Sequence, residues 1–111
     1  MEIYDTANKL AEEIKASEEY QNYKMAKQTI ALNPISKEKI KEFESRRYEI
    51  QIEMMQIGKQ NQEKQQELQE LYAELIQSDE IRRYFDAELK FNIIFADVNK
   101  IIGEAVREIM E

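Results

Sequence analysis

Residues 79–110 read DEIRRYFDAELKFNIIFADVNKIIGEAVREIM, and how this run is taken decides the fold. Ser78 or Asp79 offers an N-cap, and no strong breaker follows until the chain ends, so one helix is predicted from Asp79 to Met110. At 1.5 Å per residue it spans about 48 Å. That is longer than a 111-residue globule comfortably contains, so an elongated molecule is expected. On its wheel Tyr84, Phe91, Phe95, Val98, Ile102, Ala105 and Ile109 form an apolar spine, which Ile93, Ile94 and Ile101 widen. The stretch FNIIFADV, residues 91–98, is apolar over most of its circumference, which implies cover on several sides. Gly103 is either a weak point or a place of close helix contact.

The rest of the chain is helical by the same reasoning. It has two glycines and one proline, while Glu, Lys, Gln, Ala, Leu and Met fill most positions. Ile3, Ala7, Leu10 and Ile14 mark a first helix over about residues 3–15. Ser17 caps a second, which carries Tyr20, Tyr23, Ala26 and Ile30 and stops before Asn33-Pro34. Ser36 is read as the cap of a third, running to about Ile57 and closed by Gly58. The Gln-rich run at residues 60–70 leads with helical spacing into Leu68, Leu71, Tyr72, Leu75 and Ile76, which gives a fourth. The connection near residues 58–62 is short, so the third and fourth helices should form an antiparallel hairpin.

One stretch resembles another: SEEYQNYKMAK (17–27) and SDEIRRYFDAE (78–88) share Ser, Glu, Tyr and Ala in register. A capping Ser and an acid in the first turn explain half of the match, so these are two capped helix starts and not a duplication.

The third helix is apolar over too much of its surface for one neighbour. With Ile40 at zero, Phe43, Ile50, Met54 and Ile57 fall between about 260° and 320°, and Tyr48, Ile52 and Met55 between about 60° and 120°. A surplus face of that width needs a second helix or a second subunit, and a two-fold homodimer is the commonest solution. The expected architecture is therefore all-α: a single domain over residues 1–111, an elongated antiparallel helical hairpin or bundle of about five helices with a long C-terminal helix, homo-oligomeric. The core and oligomer interface are assigned to Phe43, Arg47, Ile50, Met54, Ile57, Tyr84, Glu88, Phe91, Phe95, Val98 and Ile102. Arg47 and Glu88 are charges on apolar faces, and a bidentate pair between them, within or across subunits, would fix register.

Chemistry is narrowly bounded. The chain has no Cys and no His, which excludes thiolate nucleophiles, Ser-His-Asp triads and the usual zinc sites. Carboxylate pairs such as Glu12 and Glu13, Glu67 and Glu70, Glu70 and Glu74, or Glu104 and Glu108 have spacings that suit Mg²⁺ or acid–base work, but 23 acidic residues make such spacings unavoidable. A net charge of −7 opposes direct nucleic-acid binding and membrane-surface binding. Arg46-Arg47 and Arg82-Arg83 are flanked by acids, and so read as solvated or internally paired faces. No catalytic residue, cofactor or metal is assigned. Tyr20 and Tyr23, on the shorter helix, are the better candidates for a partner surface. The start MEIYDTANK has no basic and apolar leader pattern, so a cytoplasmic location is expected.

The segments S-E-E-Y-x-x-Y-K-x-A-K, Asn33-Pro34 before a long amphipathic helix, D-A-E-L at 86–89 and A-D-V-N-K-I-I at 96–102 together resemble the YlbF/YmcA family of small bacterial helical proteins. The N-K-I-I ending brings the chain nearest to the YheA-type branch. The resemblance implies an all-α homo-oligomer with a non-enzymatic, regulatory role that works through itself and a regulatory protein partner. For better-studied members it implies a cytoplasmic complex that acts on messenger RNA maturation through an endoribonuclease, so an RNA-processing adaptor is the alternative reading. A carboxylate-dependent metal hydrolase ranks third. Iron–sulfur clusters bound through cysteines in that complex do not carry over to a chain without Cys.

Overall fold

The computed structural model describes all residues from Met1 to Glu111. Five helices follow in order: α1 (Glu2–Ala16), α2 (Glu18–Ala31), α3 (Pro34–Ile57), α4 (Gln62–Leu75) and α5 (Asp79–Met110). The fold is all-α, as the composition and spacing require. The chain divides into two compact units: Met1–Ala26 with Tyr84–Glu111, and Lys27–Arg83.

Local chemistry sets each boundary. Ser17 ends α1 in an extended conformation, and its Oγ accepts from the backbone N–H of Tyr20 to start α2. Gly58 closes α3 at φ 76°, a left-handed conformation that glycine adopts without a Cβ clash, and its N–H donates to the Met54 carbonyl over 2.8 Å. Asn61 caps α4 by accepting from Lys64 N–H. Ser78 precedes α5, with its carbonyl accepting from Arg82 N–H at 2.9 Å.

The start of α3 corrects the sequence reading. Asn33, not Ser36, is the cap: its Oδ1 accepts from the N–H groups of Ile35 and Ser36, and Pro34 occupies the first helical turn. Proline suits that position because its missing N–H would be unpaired there anyway. Ser36 is thereby freed for another task. It is buried, and its hydroxyl donates to Glu80 Oε1 at 2.6 Å, the same oxygen that accepts from Asn33 Nδ2 at 2.8 Å.

Within the unit Lys27–Arg83, α3 and α4 form the expected hairpin. Lys64 meets Glu53 near the turn and Tyr72 meets Phe43 farther from it, so one index rises as the other falls, and the helices are antiparallel. Ile30, Ile40, Phe43, Ile50, Leu75 and Ile81 are its buried apolar side chains. In the other unit α2 runs antiparallel to α5, with Tyr20 against Phe91 and Tyr23 against Tyr84. Its buried residues are Tyr84, Phe85 and Ala87; α1 contributes none.

Candidate interaction surface

The α2–α5 pair is built from rings. Tyr20 packs edge-on to Phe91 at 5.9 Å, Tyr23 lies 5.8 Å from the same ring, and Phe91 stacks on Phe95 at an interplanar angle of 16°. Such offset and edge contacts add to burial alone because ring edges and faces carry opposite partial charge. Tyr20 and Tyr23 are half-buried in this cluster. The Tyr23 hydroxyl donates to Glu88 Oε2 at 3.2 Å, which provides a partner for a carboxylate on the apolar spine.

Arg47 is exposed on α3, and its guanidinium carbon sits 5.5 Å from the centre of the Phe43 ring, a cation–π arrangement. Arg47 and Glu88 thus each have a partner inside their own unit. A wheel places a charge on a face but does not say which ring or hydroxyl stands next to it. Two other arginines are paired: Arg46 bridges to Glu42 at 2.9 Å and Arg82 to Asp79 at 2.6 Å.

Of the residues assigned to core or interface, Phe43, Ile50 and Tyr84 are buried, while Phe91 and Val98 are half-buried. Met54, Ile57, Phe95 and Ile102 remain exposed, as do Tyr48 and Met55 on the second face of α3. The hairpin therefore covers the first side of the apolar arc at Phe43 and Ile50 but not at Met54 and Ile57, and on the second side it leaves Tyr48 and Met55 in solvent while Ile52 is half-buried. On α5 the cover stops earlier: no residue beyond Ala87 is buried, and every residue from Asn99 to Glu111 is exposed.

Nowhere do three or more carboxylates converge as a metal would need. A shallow groove of about 160 Å³ is lined by Arg46, Glu49, Ile50, Lys64, Glu67 and Leu68. Small-molecule sites usually reach ~300–1,000 Å³. No helix is long and apolar enough to cross a membrane.

Two charged side chains shift one another at the α3–α4 turn. Lys64 Nζ donates to Glu53 Oε2 at 2.9 Å and Asn61 Nδ2 to Oε1 at 3.4 Å. The Lys64 hydrogen bond, then that of Asn61, holds the Glu53 carboxyl below its ordinary range, and Glu53 in turn raises Lys64. The sequence signal for this was an Asn cap following a glycine stop.

Comparison with known proteins shows the family. A family described as "Control of competence regulator ComK, YlbF/YmcA" matches residues 3–107. A "UPF0342 protein" of Symbiobacterium thermophilum is 39% identical over 104 residues, covering 94% of this chain and 93% of that one. Another, of Desulfitobacterium hafniense, is 36% identical over 110 residues, covering 99% and 89%. A third, of Alkalihalophilus pseudofirmus, is 33% identical over 108 residues, covering 96% and 91%. None of these descriptions names an enzymatic activity. With all but a few terminal residues matched, this chain belongs to the YlbF/YmcA family.

Proposed function

We propose that the protein is a non-enzymatic, cytoplasmic homo-oligomer that acts as an interaction and regulatory module. Exposed apolar side chains support this reading: Tyr48, Met54, Met55 and Ile57 on α3 and Phe95, Ile101, Ile102 and Ile109 on α5 stand in solvent, and contiguous apolar surface of this kind marks an interaction site. The regulatory half rests on the family description, which concerns control of a competence regulator.

Mass in solution tests the first half. Sedimentation equilibrium at micromolar concentration should return at least twice 13.3 kDa, and a stable 13.3 kDa species would overturn it. For the second half, a strain lacking the protein should show an altered transcript profile. The intact chain should restore it, and a variant with Phe95→Asp and Ile102→Asp should not. An unchanged profile in the deletion strain would overturn the regulatory assignment.

A further inference from the structure

Every charged residue from Lys90 to Glu111 lies on one side of α5. With Ile102 at zero on the helical wheel, Asp97, Lys100, Glu104, Arg107, Glu108 and the others fall beyond about 120° on either side. The remaining arc, of about 240°, carries no charge. It holds Phe95 (47% exposed), Ile101, Ile102 (52%), Val106, Ile109 (87%) and Met110. At roughly 200 Å² for a complete large side chain, these six leave on the order of 700 Å² of mostly apolar surface in solvent, close to one partner's share of a standard interface.

We propose that this face of α5 is covered by the same face of a second copy, the two helices running in opposite directions with the two-fold axis passing near Ile102. This rests on the homo-oligomeric reading above and specifies where and how the copies meet. Its area matches what one subunit supplies, and a charge-free face set in an acidic chain suits neither a phosphate backbone nor an anionic lipid surface.

The direction follows from charge. The end of α5 carries Glu104, Glu108 and Glu111 against a single Arg107. A parallel pair would set two acidic ends and two negative dipole ends side by side, whereas an antiparallel pair moves them apart. The axis falls near Ile102 because the exposed apolar face runs from Phe95 to Met110, and pairing about its midpoint covers all of it.

A chain without Cys makes the test direct, because each introduced thiol is the only one present. Ile102→Cys should form a disulfide-linked dimer in high yield under mild oxidation, and Met55→Cys, on the exposed face of α3, should not. A spin label on Ile109→Cys should report a separation of about 20 Å or more along the axis, since fourteen residues at 1.5 Å lie between the two copies of that position. A dimer that crosslinks through Met55→Cys and not Ile102→Cys would overturn the α5 interface and leave the homo-oligomer standing. Labels at position 109 within about 10 Å of each other would overturn the antiparallel arrangement. A monomer by sedimentation would remove both.

Discussion

The buried hydroxyl of Ser36 donates to Glu80 Oε1 over 2.6 Å, joining the first turn of α3 to the first turn of α5 across 44 positions of sequence. The same oxygen accepts from Asn33, so one carboxylate oxygen holds both the cap and the third residue of α3. Glu80→Leu leaves the Ser36 hydroxyl buried without an acceptor and should cost about 1–3 kcal/mol. Ser36→Ala removes only the donor and should cost less. Urea unfolding of the two single variants and the double one should give a non-additive cycle; strict additivity would show that the bond contributes nothing.

Tyr23 divides its contribution between ring and hydroxyl. Tyr23→Phe keeps the ring contacts with Tyr84 and Phe91 and loses the bond to Glu88, so a loss of about 1 kcal/mol is expected. Tyr23→Ala removes the ring as well and should cost about 3 kcal/mol or more. Equal losses in chemical denaturation would mean that the ring packing adds nothing.

The turn between α3 and α4 should respond to acid. Glu53 is held below its ordinary value, so the unfolded chain takes up a proton there before the folded chain does, and the stability it contributes is complete above about pH 4.3. That contribution is lost as pH falls through the lower, folded value. Lys64 is raised, so its share is complete below about pH 10.4 and is lost as pH climbs through the higher, folded value. The pair is solvent-exposed, so the effect should be small. Glu53→Gln should flatten the fall in thermal midpoint below about pH 4.3, and an unchanged slope would exclude this carboxylate as its source.

Gly103 sits inside α5 with no heavy atom within 4 Å of where a Cβ would be. Within one chain, therefore, glycine there serves no close contact. Gly103→Ala should stabilise the helix by about 0.5–1 kcal/mol through the entropy of the unfolded chain. Gly58→Ala should do the reverse, since φ 76° strains any residue with a Cβ. Circular dichroism melts of the two variants should move in opposite directions.

What could be read in advance depended on the range of the interaction involved. Helix ends were legible because they are settled by neighbours in sequence: Gly58 stops α3, and the residue before Pro34 cannot be helical. The cap of α3 was misread because both Asn33 and Ser36 are good cap residues, and the deciding signal was Pro34 at the first helical position. Glu80 gave no sign of its role, since an acid in the first turn of a helix explains itself locally, while its partners lie 44 and 47 residues away. The wheel of α3 likewise gave the width of the apolar arc but not which part the hairpin would cover.

The bare end of α5 has a thermodynamic corollary. A helical stretch of about a dozen residues with no packed side is marginal in water, and Asn99–Glu111 is such a stretch in a lone chain. Its amide hydrogens should exchange fast in dilute solution and slow as protein concentration rises, because assembly supplies the missing side. The order of this last third of the helix then becomes a readout of how much of the protein the cell contains.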